Sequence, residues 1–136
     1  MADRITSEVR SRNMAAIKGR DTIPEVVFRK KLFAKGLRYR KNVRALPGCP
    51  DIVLPKYKAV IFVNGCFWHM HNCDRFRWPK TNPEFWENKI LGNVDRDKQN
   101  YKKLREQGWK VIVVWECEIK KDLDEIVDKT IEQIKL

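Results

Sequence analysis

The chain has 136 residues, enough for one domain with a buried core, and its 29 Lys/Arg against 18 Asp/Glu give a formal net charge of +11. No apolar run is long enough to span a bilayer and the first residues do not begin a signal peptide, so we expect one cytoplasmic, nucleoid-associated domain over residues 1–136 with no membrane partner. The charge excess is uneven, because Met1–Leu46 holds 13 Lys/Arg against 4 Asp/Glu, and this favours a polyanion, foremost nucleic acid, bound near the N-terminus.

The N-terminal third predicts two helices before any strand. Helical spacing over Ser7–Lys18 indicates the first, within a basic segment of residues 1–20. The second begins at Thr22, which forms a capping-box pattern with Glu25, and it ends at Gly36, a residue typical of helix C-termini.

Three strands are predicted to follow. Leu37–Arg40 alternates like an edge strand, Asp51–Leu54 is short, and Tyr57–Val63 is a continuous apolar run typical of a buried strand. A tight turn at Pro55-Lys56 separates the last two.

The remainder of the chain predicts helix, strand and helix. A long helical stretch runs from Pro83 to Gly108, and a β-branched strand covers Trp109–Cys117. Apolar residues recur at helical spacing from Leu123 to Ile134, so an amphipathic helix closes the chain. This element order predicts an α/β fold in which helices flank both faces of a mixed sheet.

The segment Asn64–Cys73 contains two of the four cysteines and both histidines of the chain. Thiolates and imidazoles suit zinc, and cysteines in a chain without an export signal are expected to stay reduced. Cys117 would complete a set of ligands if its strand lies beside the strand that ends at Val63. His69 and His71 compete for one ligand position, and spacing alone does not choose between them. Four protein ligands would make the zinc structural, whereas the alternative of cysteines buried as small apolar residues fits this density less well.

Asp51 stands at the start of a strand, next to the strand that leads into this segment. Many nucleases hold Mg²⁺ against a scissile phosphate with a carboxylate in such a place. The usual partners, an acidic residue and a lysine two positions apart, are replaced here by Phe62 and Asn64. A turn carboxylate bonded to backbone N–H groups is the alternative.

Three large aromatic residues stand near polar segments rather than within an apolar pattern: Phe67, Trp68 and Trp86. Core packing explains any one of them alone. Together, beside a basic surface, they favour wedges or stacking platforms for bases, worth about 1–3 kcal/mol per stacked base. Glu25 and Asp97 have ordinary alternatives as a helix cap and a solvated helix carboxylate.

Several motifs stand in register over most of the chain: Ser11, Asn13-Met14, Ile17, Arg20–Thr22, Glu25, Pro50-Asp51, Val60–Phe62, Gly65–His69, His71, Cys73, Glu84–Trp86, Lys89-Ile90, Asn93, Arg96-Asp97, Gly108-Trp109 and Val114–Cys117. Taken together they resemble the very-short-patch repair (Vsr) DNA mismatch endonucleases. The resemblance implies a restriction-endonuclease-like core and a monomeric, Mg²⁺-dependent endodeoxyribonuclease. Such an enzyme would recognise the T:G mismatch left in double-stranded DNA when 5-methylcytosine deaminates. It would nick 5′ of the thymine to initiate repair, with mismatch-repair proteins as further partners.

The resemblance also implies catalytic roles. Asp51 and the backbone carbonyl of Val63 would bind the catalytic Mg²⁺, and His69 would be the general base that activates water. Glu25 and Asp97 would assist as further catalytic residues.

If His69 is the base, His71 becomes the zinc ligand, in a structural site completed by Cys66, Cys73 and Cys117. The resemblance further implies that the three aromatic residues insert beside the mismatch, and that the N-terminal segment clamps the other groove through Asn13 and Met14.

Two positions depart from the family pattern. Some members have threonine where this chain has Val63, which matters little if only the backbone oxygen binds metal. Histidine is common where this chain has Asn64, so a titratable group near the scissile phosphate is missing and His69 is the one imidazole left for proton transfer. Two rival functions remain: a sequence-specific restriction-type endonuclease, and a non-catalytic zinc-stabilised DNA-binding module.

Overall fold

The computed structural model describes residues 22–66, 69–71, 73 and 77–136. Its helices and strands follow one another along the chain as α1 (Ile23–Ala34), β1 (Arg40–Lys41), β2 (Ile52–Leu54), a 3-10 helix (Pro55–Tyr57), β3 (Ala59–Asn64), α2 (Pro83–Glu106), β4 (Lys110–Trp115), α3 (Glu116–Lys121) and α4 (Leu123–Lys135). None of the helices in these ranges is both long enough and apolar enough to cross a membrane. The helix predicted over Ser7–Lys18 lies outside the described residues.

The four strands form one sheet in the order β1-β2-β3-β4. β2 pairs antiparallel with β1 and with β3, whereas β3 pairs parallel with β4. Helix α2 connects the two parallel strands, since a parallel pair needs a long crossover. The mixed sheet predicted from the element order is therefore confirmed.

Helices cover both faces of the sheet, as the sequence predicts. Side chains alternate along each strand, so neighbouring residues pack on opposite faces. On one face the core consists of side chains from α1, α3, α4 and the sheet: Phe28, Leu32, Leu37, Ile52, Leu54, Ala59, Ile61, Ile112, Val114, Ile119, Val127 and Ile134. On the other face Leu104 and Tyr101 of α2 pack against strand residues Val53, Val60, Phe62 and Val111.

The ends of α1 match their prediction. The Glu25 carboxylate accepts a hydrogen bond from the backbone N–H of Thr22 at 3.2 Å, as in a capping box. Gly36 follows the helix with a φ of +89°, a conformation that glycine adopts without strain. The backbone N–H of Leu37 then donates to the carbonyl of Leu32 at 3.2 Å and closes the helix end.

Three predicted strands are wrong in their bounds. The strand expected over Tyr57–Val63 is Ala59–Asn64, because a 3-10 helix covers Pro55–Tyr57. The edge strand expected over Leu37–Arg40 is the two-residue β1, Arg40–Lys41, because Leu37 is buried in the core directly after the helix end. The last strand ends at Trp115 instead of continuing to Cys117. There the Glu118 carboxylate accepts a hydrogen bond from the Trp115 backbone N–H at 3.0 Å and starts a short helix. Cys117 therefore lies in the first turn of α3.

Candidate functional site

The chemically reactive side chains collect at one edge of the sheet. β3 and β4 are parallel and paired up to their last residues, Asn64 beside Trp115, so the segments that follow them begin at the same edge. Asp51 lies at this edge too, because the antiparallel β2 begins where β3 ends. The topology thus brings together residues that are more than sixty positions apart in the sequence.

Four side chains at this edge form a cluster suited to a metal ion. One ligand atom from each of Cys66, His71, Cys73 and Cys117 lies within 4.8 Å of all the others, and the Cys117 Sγ is 3.4 Å from the His71 Nδ1. The structure brings His71, rather than His69, to the three cysteines. Two ligands bound about 2.3 Å from a tetrahedral ion lie about 3.8 Å apart, so the cluster needs only small adjustments to close around zinc.

The local backbone and an aromatic ring hold this cluster in place. The N–H of His71 donates to the carbonyl of Cys66 at 2.9 Å, and the N–H of Cys73 donates to the carbonyl of His71 at 2.8 Å. The His71 ring stacks on the indole of Trp115, with centroids 4.0 Å apart and planes 9° from parallel. The last residue of β4 therefore supports a ligand that follows β3.

The electrostatics of the cluster favour a cation. Burial raises the pKa of the Cys66 thiol to about 12 and also raises the pKa of Cys117, while burial lowers the pKa of His71. Without a metal ion, the thiols and the imidazole are therefore uncharged. A soft divalent ion converts the thiols to thiolates and takes the imidazole lone pair, so the donor set fits zinc.

A second cluster, formed by buried ionisable groups, surrounds Asp51. The Asp51 side chain is only 7 % exposed, and its Oδ2 accepts a hydrogen bond from the Val63 backbone N–H at 2.7 Å. The pKa of Asp51 is raised from 3.8 to about 8, mainly by burial and then by the neighbouring Glu25 carboxylate. The Arg29 guanidinium lowers this pKa by a smaller amount. Glu25 is itself buried and pairs with Arg29 at 3.1 Å. Two carboxylates with one guanidinium form a site that a further cation would stabilise.

His69 takes part in a different contact from His71. Its Nδ1 donates to the Asp97 Oδ2 of helix α2 at 2.5 Å, and both side chains are about a quarter exposed. A carboxylate on Nδ1 fixes the proton there and leaves the lone pair on Nε2. The pair is arranged as a base and the group that orients it.

A third contact joins strand β3 to helix α2. Asn64 is 5 % exposed, and its Nδ2 donates to the hydroxyl of Tyr101 at 2.9 Å. Burial raises the pKa of Tyr101 to about 12, and the nearby charges of Asp97 and Asp51 both raise it as well. Asp51 and Asp97 therefore both act electrostatically on the same phenol.

The sequence reasoning did not single out Arg29 or Tyr101. Each stands four residues after a predicted site residue on the same helix, Arg29 after Glu25 and Tyr101 after Asp97. Residues at this spacing are neighbours on a helix surface, so the sequence could have identified Arg29 and Tyr101 as neighbours of the two predicted site residues.

The predicted DNA-binding residues are only partly described. Asn13, Met14, Phe67 and Trp68 lie outside the described residues. Trp86 is half-buried in the first turn of α2 and makes an edge contact with Phe85, whose centroid is 5.2 Å away. Asp97 lies eleven positions after Trp86 on the same helix, which places the two residues about 16 Å apart along the helix axis.

Comparison with protein families gives a match in the N-terminal half. The family described as DNA mismatch endonuclease Vsr matches residues 2–75 of the chain. This range contains Glu25, Asp51 and the segment that carries His69 and three of the four clustered ligands.

Curated relatives match over most of the chain. The chain is 43% identical to the DNA mismatch endonuclease Vsr of Escherichia coli over 136 residues, covering 98% of this chain and 87% of the relative. It is 51% identical over 120 residues to the type II nicking enzyme V.NmeAIP of Neisseria meningitidis, covering 88% of this chain and 86% of that protein. The type II nicking enzyme V.XorIIP of Xanthomonas oryzae is 41% identical over 119 residues, with 88% of each chain covered.

Proposed function

Because the chain belongs to the Vsr family of DNA mismatch endonucleases, we propose that it nicks one strand of duplex DNA 5′ of the thymine in a T:G mismatch. The mismatch would arise from deamination of 5-methylcytosine, and the nick would initiate very-short-patch repair. The reaction is a Mg²⁺-dependent phosphodiester hydrolysis carried out by one protein chain.

The observation that carries this proposal is the meeting of two groups at one edge of the sheet. Asp51 is a buried carboxylate with a raised pKa, and His69 is a base oriented by Asp97. The charges of Asp51 and Asp97 both raise the pKa of Tyr101, which links the two groups. A non-catalytic DNA-binding module has no need for either group, since a buried carboxylate lowers stability and repels phosphate. A hydrolase needs both, one to hold a cation and one to accept a proton.

The donor atoms beside Asp51 fit Mg²⁺, which prefers oxygen ligands. In a β-strand the N–H and the C=O of one residue point to the same side, and the N–H of Val63 donates to Asp51. The Val63 carbonyl is therefore directed to the same side as this carboxylate, and the two oxygens would hold the ion together. When bound, Mg²⁺ stabilises the negative charge that develops on the phosphate during hydrolysis. Valine serves here as well as threonine would, because the side chain is not the ligand.

His69 acts as the general base in this proposal. The Nε2 lone pair accepts the proton of the attacking water, and the Asp97 carboxylate on Nδ1 stabilises the imidazolium that results. Glu25 holds Arg29 and adds negative charge beside Asp51. Glu25 therefore supports Asp51 and Asp97 supports His69, and neither of these two carboxylates touches the substrate.

The cysteine–histidine cluster has a structural role. His69 lies between Cys66 and His71 in the sequence, so a zinc ion bound to both neighbours would fix the loop that carries the base. All four zinc positions are taken by protein ligands, which leaves none for water or substrate.

DNA recognition is assigned to the basic and aromatic parts of the chain. Phe67, Trp68 and Trp86 would insert beside the mismatch and unstack it, while Asn13 and Met14 would contact the opposite groove. The net charge of +11 supports binding to the phosphate backbone of the duplex.

Cleavage of end-labelled duplexes tests the function. One duplex contains a single T:G pair, a second is fully matched, and a third carries the mismatch in the opposite orientation. We expect one nick on the thymine strand, immediately 5′ of that thymine, only with the mismatched duplexes and only when Mg²⁺ is added. Equal cutting of matched DNA would support the restriction-type alternative instead.

The variant Asp51→Asn separates an enzyme from a binding module. An enzyme loses nicking but still binds the T:G duplex in a gel-shift assay. A protein that binds the mismatch equally well in both forms and nicks in neither has no endonuclease function.

A further inference from the structure

The hydrogen bond between Asn64 and Tyr101 joins the two halves of the site. Asn64 is the last residue of β3, next to Val63, whose N–H contacts Asp51. Tyr101 lies on α2, one turn after Asp97, whose carboxylate contacts His69. Their 2.9 Å contact therefore links the strand residue that follows Val63 to the helix that carries Asp97.

The position of the phenol is fixed from two sides. Its ring packs against Phe62 at a centroid distance of 4.9 Å, and its oxygen is held by the buried amide of Asn64. Each of these contacts comes from β3, so the hydroxyl is positioned by the strand that also carries Val63. A side chain held in this way loses little entropy when it binds a substrate.

The direction of the hydrogen bond determines what Tyr101 can do. Asn64 donates through Nδ2, so the Tyr101 oxygen is the acceptor and its own O–H hydrogen is left to donate. Because burial keeps the pKa of Tyr101 at about 12, the hydroxyl is neutral and protonated at neutral pH. A neutral, protonated hydroxyl can donate a hydrogen bond to an anionic oxygen without adding charge of its own.

We propose that Tyr101, oriented by Asn64, is a catalytic residue that donates a hydrogen bond to a non-bridging oxygen of the scissile phosphate. This inference rests on the endonuclease function proposed above and assigns one more of its contacts. The hydroxyl keeps its proton throughout. The water proton goes to His69, the bond between phosphorus and the leaving sugar oxygen breaks as the water oxygen bonds to phosphorus, and the leaving oxygen takes a proton from solvent water. The contact strengthens as negative charge develops on that oxygen, so it raises the rate of hydrolysis more than it raises affinity.

The test compares Tyr101→Phe with the parent in single-turnover nicking of a T:G duplex. Phenylalanine keeps the ring that packs on Phe62 and removes only the hydroxyl. We expect the nicking rate to fall about 100-fold, while the dissociation constant for the duplex, measured without Mg²⁺, changes by less than about 3-fold. Tyr57→Phe is the matched control, since Tyr57 precedes the opposite end of β3, and it should nick at the parental rate.

Sulfur substitution identifies the contacted oxygen. The two phosphorothioate diastereomers at the scissile position each replace one non-bridging oxygen by sulfur, a weaker hydrogen-bond acceptor. One diastereomer should slow the parent but slow Tyr101→Phe much less, because the variant has already lost that contact. The other diastereomer should slow both proteins equally. Equal effects of both diastereomers in the two proteins would overturn the assignment.

The dependence of rate on pH separates this role from an indirect one. A hydroxyl that contacts only phosphate leaves the pH profile of Tyr101→Phe parallel to that of the parent. A shifted profile would mean that Tyr101 acts through His69 and Asp97, and the assignment would be wrong. Asn64→Leu gives a second measurement, with a smaller loss of about 10-fold expected because the hydroxyl remains but loses its orientation.

The outcome is distinguishable from failure of the proposed function. If the parent nicks no mismatched duplex, the endonuclease function itself fails. If the parent nicks and Tyr101→Phe nicks at the same rate, the endonuclease stands and only the role of Tyr101 is rejected.

Discussion

The cysteine–histidine cluster and the Asp51 site share one edge of the sheet but differ in how completely their ligands surround an ion. The cluster offers four ligand atoms within 4.8 Å, enough to close a tetrahedron. The Asp51 site offers one buried carboxylate, and it places Glu25 beside Asp51 in an unfavourable interaction between two acids. The closed site would contribute stability when it binds a metal, whereas the open site, as we propose it, gives up stability in order to bind a cation and a phosphate.

Asp51→Asn should show the largest difference between an effect on activity and an effect on stability. The substitution should lower the nicking rate by on the order of 1000-fold, because an amide is a poor ligand for a hard cation. It should not lower the thermal unfolding midpoint, since it removes a buried carboxylate that repels Glu25. A midpoint clearly below that of the parent would mean that Asp51 is a structural residue.

Cys117→Ser probes the closed site and should have the opposite signature. Loss of one of four zinc ligands should reduce the free energy of unfolding by about 3 kcal/mol and the midpoint by roughly 10 °C. Zinc content, measured by atomic spectroscopy, should fall well below one ion per chain. Cys49→Ser is the matched control, because Cys49 is exposed and stands apart from the four clustered ligands. An unchanged midpoint with full zinc content would remove Cys117 from the ligand set.

Asp97→Asn weakens the open site without removing a metal ligand. An amide in place of the carboxylate can donate to Nδ1 of His69 and leave the proton on Nε2, so the base is lost. The nicking rate should fall about 100-fold, with unchanged zinc content and an unchanged midpoint. Asp95→Asn, an exposed change on the same helix, should nick like the parent.

The pH dependence of stability in zinc-loaded protein without Mg²⁺ tests the Asp51 site by itself. The pKa of Asp51 is raised from 3.8 in the unfolded chain to about 8 in the folded protein. The stability contributed by its proton is therefore fully present below pH 3.8 and is lost as the pH rises through 8. The midpoint of the parent should fall relative to that of Asp51→Asn over this window. Millimolar Mg²⁺ should restore the midpoint of the parent at the alkaline end and leave the variant unchanged; an effect on both would place the ion elsewhere.

Local patterns predicted most of the fold. Three of the predicted features depend only on neighbouring residues, and each is present: the cap formed by Thr22 and Glu25, the apolar run of β3 and the amphipathic α4. The end of β4 was predicted wrongly, because the β-branched run gives no sign that a side chain three residues after Trp115 caps a helix there.

The candidate site was harder to predict because it depends on contacts between distant residues. The pattern of ligand types suggested zinc but left His69 and His71 equivalent. Only the fold separates them, by placing one beside Asp97 and the other on the Trp115 ring. The role of Asn64 was also hidden, since its partner Tyr101 is 37 positions away.

The short β1 strand has a consequence for the behaviour of the protein in concentrated solution. One open edge of the sheet has only two residues, Arg40 and Lys41, and both are exposed and positively charged. A second chain that approached this edge would find too few backbone groups to extend the sheet, and it would meet like charge. Arg40 and Lys41 therefore protect this edge against fibril growth, and neutralising these two residues should make the protein more prone to aggregate.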